Sequence, residues 1–245
     1  MNTDYITYYI LSAIAVLIIL AVHEYSHAYA AYRLGDNTAK NLGRLTVNPI
    51  KHLDPVGALC MVVFHVGWAK PVPVNPRYFK KPKRDFALVS LAGPLSNIIM
   101  GFFAAGVYLL ILKIPVSSSG FTLALLSNTA LFVYLFHSIN IGIGLFNLLP
   151  IPPFDGSRLL NVVLPEKAYF GVMKYERQIY LFVLGWLLLG DFVAAALRSV
   201  PIIYSVPWLY QLVGIFSLSD ILAFVISGLS SLIFKFWQLI PIFRV

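Results

Sequence analysis

The chain has 245 residues, of which 59% are hydrophobic and 11% are charged, and its formal net charge is +8. A soluble globular domain carries about 25% charged residues, and a disordered chain lacks large apolar side chains, so this composition excludes both classes. The Lys and Arg residues lie in short loops between apolar runs, which indicates orientation in a lipid bilayer and argues against a nucleic-acid partner.

The long apolar runs predict an all-α polytopic membrane protein, because each exceeds or approaches the roughly 20 residues that a helix needs to cross a bilayer. The predicted spans are Tyr5 to Arg33, Phe86 to Leu112, Phe121 to Leu149 and Ile179 to Leu197, with a last span from about Ile221. The first run lacks the basic start and the cleavage site of a signal peptide, so we interpret it as a retained helix. Pro207 and Gly214 interrupt the chain before the last span and predict an interfacial or re-entrant piece. We expect about five to six transmembrane helices.

A shorter apolar segment, Pro55 to Trp68, lies between the first two spans. It is too short to cross a hydrocarbon layer of roughly 30 Å, so we expect it to dip in and return. Residues 43–48 and 70–75 on either side have strand-like sequences and predict a small membrane-surface β element. An unwound substrate could pair with these strands by strand addition.

Basic residues concentrate in two loops, residues 33–84 and 158–177. The positive-inside rule predicts that both loops are cytoplasmic and that the N-terminus lies outside. The chain shows no repeat of 20 to 50 residues and no appended soluble domain, so we expect a single integral membrane domain over residues 1–245.

A metal-binding motif stands near the end of the first span, where His23 and His27 flank Glu24. Residues four apart share one face of a helix, so both imidazoles can bind one metal ion with Glu24 beside it. Ionisable side chains inside an apolar helix cost about 2.5 to 3.5 kcal/mol each, which favours a compensating ligand over a polar cluster between helices. The rise per residue places the pair roughly 9 to 15 Å beneath the cytoplasmic boundary at Arg33.

A catalytic zinc ion usually has three protein ligands, and the single Cys60 excludes a Cys-rich cluster. Asp155 is the strongest candidate for the third ligand, because two crossings return the chain to the same membrane side and prolines 150, 152 and 153 end the helix there. Weaker candidates are His52, Asp54, His65, His137 and Asp191. Zinc suits this donor set well, although the donors alone do not exclude another divalent ion.

Such a site supports peptide hydrolysis, with Glu24 as the general base. Asn97 and Asn147 are candidates for substrate binding or for support of the oxyanion, and each could instead make an interhelical hydrogen bond. Two other functions stay open: a membrane ion or metal transporter, which also uses buried His, Glu and Asp, and an inactive scaffold that binds clients. The lack of two related halves argues against the transporter.

Four motifs in this order resemble the site-2 protease family of intramembrane zinc metalloproteases: His23 to His27, Gly43 to Pro49, Ala92 to Asn97 and Asn147 to Gly156. The resemblance covers about residues 20–160 and suggests a compact form without a PDZ or CBS domain. It implies a catalytic core of three helices within about residues 5–160, with C-terminal helices over about residues 178–242. It also implies zinc held by His23, His27 and Asp155, Glu24 as base, and transmembrane proteins as substrates. The family often has Leu where Phe154 stands, and the oligomeric state stays open.

Overall fold

A computed structural model of the protein describes residues 3–57, 69–115, 120–213 and 217–244. Long helices dominate it, as the apolar runs predict. They are α1 (Thr3–Arg33), α4 (Pro82–Ile111), α5 (Gly120–Asn147), α8 (Glu176–Arg198) and α11 (Leu218–Leu239). Shorter helices are α2 (Thr38–Asn41), α3 (Pro49–His52), α6 (Leu160–Val163), α7 (Glu166–Met173), α9 (Pro201–Ser205) and α10 (Pro207–Val213), with 3₁₀ turns at Pro76–Tyr78, Asp155–Leu159 and Pro241–Phe243.

Four of these helices, α1, α4, α5 and α11, are long and apolar enough to cross a membrane. Their positions confirm the first three predicted spans and the last one to within a few residues. The remaining predicted span, Ile179 to Leu197, lies inside α8, a helix of 23 residues that is not among the four. The described part of the chain therefore supplies four of the five to six predicted transmembrane helices.

Helices α1, α4 and α5 pack against one another and form the centre of the fold. At Gly144 of α5 an added Cβ would lie 2.9 Å from the Ile98 side chain and 3.1 Å from the Pro94 carbonyl oxygen of α4, so this glycine permits close approach of the two helices. Helix α11 joins this group through Trp237, whose Nε1 donates a hydrogen bond to the Phe102 carbonyl at 2.8 Å.

The predicted membrane-surface β element is wrong for the residues that the structure describes. Residues 43–48 and 70–75 form turns and loops, and the nearest pairing is a single antiparallel bridge between Leu53 and Ala69. A side chain also links the two segments, because Arg44 Nη2 donates a hydrogen bond to the Lys70 carbonyl at 2.6 Å. Prolines 71 and 73 lack the N–H groups that a strand ladder needs. Most of the predicted re-entrant segment, residues 58–68, lies outside the described residues.

Candidate metal centre

Two histidines of α1 and one aspartate from a distant part of the chain meet at a single point. The Nε2 atoms of His23 and His27 are 3.0 Å apart. Asp155 Oδ2 lies 3.1 Å from His23 Nε2 and 3.2 Å from His27 Nε2. Both histidines are buried and Asp155 is partly buried, so one carboxylate oxygen and two ring nitrogens face one another away from bulk solvent.

Asp155 reaches the histidines because the chain turns sharply after α5. The helix ends at Asn147, and a short 3₁₀ turn begins at Asp155 itself. Gly156 fits closely against the carbonyl of Leu148, where a Cβ would collide with backbone atoms. Burial alone would raise the pKa of the Asp155 carboxyl, but hydrogen bonds with the His23 and His27 rings hold its pKa well below the usual range. Asp155 therefore presents a carboxylate oxygen, Oδ2, to both rings.

The spacing of these three atoms fits a tetrahedral zinc site. Ligand bonds of about 2.0–2.2 Å place the donors of a tetrahedron about 3.3–3.6 Å apart, a few tenths of an ångström more than the observed separations. Nδ1 of His27 donates a hydrogen bond to the Val89 carbonyl at 2.7 Å, which orients the ring so that Nε2 faces Asp155 and His23. Nδ1 of His23 is buried without a hydrogen-bond partner among the described residues. The residues present can hold one zinc ion.

Gly93 of α4 provides the space in which the two imidazole rings lie. A Cβ at this position would be 2.6 Å from His27 Cε1 and 2.7 Å from His23 Cε1, and closer still to His27 Nε2. Any side chain would therefore displace both rings. Sequence reasoning did not assign Gly93 to the site, although it belongs to the motif from Ala92 to Asn97.

Glu24 is buried next to His23, and its carboxylate has a backbone partner. The Val72 N–H donates a hydrogen bond to Glu24 Oε2 at 2.9 Å. Val72 belongs to the strap, as we call residues 69–75. The strap is also held by Asp36, whose Oδ2 accepts a hydrogen bond from the Asn75 N–H at 2.7 Å. Sequence reasoning missed this contact because a backbone donor leaves no side-chain signal.

The two asparagines predicted near the site are not hydrogen-bonded to the three converging residues. Asn97 is fully buried, and neither atom of its amide has a partner among the described residues. Asn147 is half-buried and donates from Nδ2 to the Ile143 carbonyl of its own helix at 3.1 Å. Their predicted roles remain predictions.

The weaker ligand candidates lie elsewhere or have other partners. His52 Nε2 donates to the Thr46 carbonyl at 2.7 Å, and Asp54 accepts from the N–H groups of residues 56 and 57. His137 bridges helices, with Nδ1 2.8 Å from the Gly101 carbonyl oxygen and Nε2 3.0 Å from Ser230 Oγ. His65 lies outside the described residues, as does the side chain of Asp191.

The chain matches a peptidase family model and is similar in sequence to proteins named as zinc metalloproteases. The family model described as peptidase family M50 matches residues 114–190, a region that contains α5 and Asp155. The protein named "Putative zinc metalloprotease YwhC" of Bacillus subtilis is 45% identical over 169 residues, which cover 66% of this chain and 75% of that protein. The protein named "Putative zinc metalloprotease Rip2" of Mycobacterium tuberculosis H37Rv is 26% identical over 235 residues, which cover 91% of this chain and 79% of that protein.

A third relative is archaeal. "Zinc metalloprotease MJ0392" of Methanocaldococcus jannaschii is 26% identical over 163 residues, which cover 66% of this chain and 36% of that protein. No solved structure matches the chain with statistical significance.

Proposed function

As a member of peptidase family M50, this chain is an intramembrane zinc metalloprotease, and we propose that it cleaves peptide bonds within or near transmembrane segments of other membrane proteins. We further propose that His23, His27 and Asp155 hold the zinc ion and that Glu24 is the general base. The observation that carries these assignments is the convergence of the three donor atoms at separations of 3.0 to 3.2 Å.

A zinc ion bound by these residues supplies Lewis acidity, which lowers the pKa of water and polarises the scissile carbonyl. Glu24 takes the proton from the attacking water and delivers it to the leaving amine. The Val72 N–H donates to Oε2 of Glu24 at 2.9 Å and so holds the carboxylate in one orientation. Asn97 and Asn147 remain candidates for contacts with the substrate backbone.

The position of the site within the chain supports an intramembrane substrate. His23 and His27 lie inside α1, a helix long and apolar enough to span, and the site is roughly 9 to 15 Å from the end of that helix at Arg33. A helical substrate has its peptide groups hydrogen-bonded internally, so it must unwind locally before water can attack. The basic loops at residues 33–84 and 158–177 favour an active site toward the cytoplasm and an external N-terminus.

The decisive experiment compares the purified full chain with its Glu24→Gln variant on a transmembrane peptide in detergent micelles. We expect both proteins to retain one zinc ion per chain by elemental analysis. We expect the variant to hydrolyse the peptide at least about 100-fold more slowly, because general-base catalysis contributes this much or more.

Glu166→Gln serves as the control, because Glu166 is an exposed carboxylate on α7 that does not contact the metal centre. Its activity should equal that of the unmodified chain. Full activity in Glu24→Gln would remove Glu24 from the role of base. Hydrolysis that survives complete removal of zinc would contradict the mechanism as a whole.

A further inference from the structure

We propose that a cavity between the end of α1 and the start of α4 binds the phosphate headgroup of an anionic phospholipid. The cavity has a volume of about 340 Å³. Its lining residues are Arg33, Leu34, Lys80, Lys81, Arg84 and Asp85. None of them takes part in the metal centre.

Positive charge dominates this headgroup cavity. Four of the six lining residues are cations and one is an anion, which leaves a net charge of +3. The anion, Asp85, is buried and already engaged, because Oδ2 accepts the Lys81 N–H at 2.9 Å and Oδ1 lies 3.3 Å from Arg84 Nε. It does not neutralise the other cations.

Two lysines of the cavity have no counter-ion in the part of the chain that the structure describes. Among the described residues, Lys80 and Lys81 take part in no ion pair, and both are exposed. Arg33 donates a hydrogen bond from Nη1 to the Tyr29 hydroxyl at 2.9 Å, and no carboxylate of the described residues pairs with it. Neighbouring cations repel one another, so a multivalent oxyanion that fits among them is favoured.

The position of the cavity favours a lipid headgroup over a free anion. Arg33 is the last residue of α1 and Pro82 is the first of α4, and both helices are candidate membrane spans. The cavity therefore lies where two spans reach the bilayer boundary, at the depth of the headgroups. Basic pockets between transmembrane helices at this depth bind anionic headgroups.

An apolar stripe on α4 continues from the cavity toward the membrane interior. Leu88, Leu95 and Ile99 are on the same side of the helix as Arg84, because steps of four and seven residues, and their sums, return to nearly the same face. Their exposed fractions are 43%, 46% and 55%. A phospholipid can thus place its phosphate among the cations while an acyl chain lies along this stripe, which a free phosphate cannot do.

The test measures lipid binding to the purified full chain in a neutral detergent by native mass spectrometry. Phosphatidylglycerol and phosphatidylcholine are titrated separately, and inorganic phosphate is added as a competitor. We expect saturable binding of phosphatidylglycerol, at least about tenfold tighter than that of phosphatidylcholine. We expect inorganic phosphate at the lipid concentration to leave this binding unchanged.

The variant Lys80→Gln/Lys81→Gln removes two cations of the cavity, and Lys167→Gln/Lys174→Gln removes two exposed lysines of the α7 region. We expect the first variant to bind phosphatidylglycerol about tenfold or more weakly, since each lysine near a headgroup contributes substantially to the attraction. The second variant should bind as the unmodified chain does. The single variants Lys80→Gln and Lys81→Gln replace the double variant if circular dichroism shows that it has lost helix.

Equal loss of affinity in both double variants would overturn the proposal, because general charge attraction would then explain binding. Full competition by inorganic phosphate would also overturn it, since the site would then recognise a free anion. Equal affinity for phosphatidylcholine and phosphatidylglycerol would overturn the proposal as well, since the site would then not select an anionic headgroup.

Discussion

His27 engages both the metal centre and the neighbouring helix. Its Nδ1 donates to the Val89 carbonyl of α4, and its Nε2 faces His23 and Asp155. The hydrogen bond fixes both the tautomer and the orientation of the ring, as the outer partners of metal-binding histidines do. Helical spacing could predict that His23 and His27 share a face, but the sequence does not show which carbonyl orients the ring.

At Gly93 we predict that a single methyl group disrupts the metal centre. The Cβ of Gly93→Ala would collide with both imidazole rings, so zinc affinity should fall about tenfold or more. Overpacking should also lower the free energy of unfolding by about 1–3 kcal/mol. Competition with a fluorescent zinc chelator measures the affinity.

Gly228→Ala is the matched control, because Gly228 lies within α11 and a Cβ there meets no atom within 4 Å. Wild-type zinc affinity in Gly93→Ala would show that the rings have more room than this packing indicates. The need for glycine at position 93 could not be read from the sequence, since it depends on how closely α4 approaches α1.

At Val72 we predict that loss of one N–H group impairs catalysis without loss of zinc. Val72→Pro removes the donor to Glu24 Oε2, and a hydrogen bond to a charged group is worth about 1.5–3 kcal/mol. We expect kcat to fall about tenfold or more while zinc content stays at one ion per chain. Val72→Ala keeps the N–H and loses the side chain, so its kcat should stay near that of the unmodified chain. Identical kcat values for the two variants would exclude a role for this hydrogen bond.

At the scale of elements, the short 3₁₀ turn Asp155–Leu159 connects the metal centre to the C-terminal helices. Arg158 lies three residues after Asp155, and its Nη2 donates to Glu176 Oε1 of α8 at 2.8 Å. Its Nη1 lies 3.9 Å from Met173 Sδ of α7. The turn that presents Asp155 is thus anchored by an ion pair to residues that follow it in the chain.

We predict that Arg158→Gln weakens zinc binding through this turn. The pair is partly exposed, so we expect a loss of about 0.5–1 kcal/mol, which is a two- to fivefold decrease in zinc affinity. The exchange Arg158→Glu/Glu176→Arg should recover part of the affinity in a zinc competition assay. A double variant weaker than both single variants would show that the ion pair does not position the turn.

The strap shows where sequence reasoning failed at this scale. Alternating Pro and Val residues suggested a strand, but the segment is held through Arg44, Asp36 and Glu24, which are distant in sequence. The strap also offers few backbone N–H groups to a substrate strand. Two of its residues are prolines, and the Val72 N–H already donates to Glu24. Hydrophobic patterns predict bilayer-spanning helices well, but they predict irregular segments such as the strap poorly.

For the whole molecule, the crossings of the chain explain why Asp155 could be predicted and the C-terminal region less well. Helices α4 and α5 return the chain to the end of α1, and the prolines after Asn147 end α5 close to His23 and His27. The span predicted over Ile179 to Leu197 lies in α8, which is not among the four candidate spans, whereas the last predicted span matches α11. The composition alone could predict a membrane protein but not the packing of its helices.

We predict the sidedness of the molecule from its basic loops, and cysteine labelling tests it. In a Cys60→Ser background, Lys51→Cys should react with a membrane-impermeant maleimide only after the cells are opened. Lys113→Cys, beyond the other end of α4, should react in intact cells. Both residues are exposed, so labelling reports the side of the membrane. The reverse pattern would invert the orientation that we propose.

The coordination of zinc by His23, His27 and Asp155 is tested most directly by zinc K-edge X-ray absorption of the purified full chain, with Asp155→Ala measured alongside. We predict one zinc ion with two imidazole nitrogens at about 2.0–2.1 Å and a carboxylate oxygen at about 2.0–2.2 Å. Asp155→Ala should lose that oxygen and most of its bound zinc. An unchanged spectrum and full zinc occupancy in Asp155→Ala would contradict the assignment.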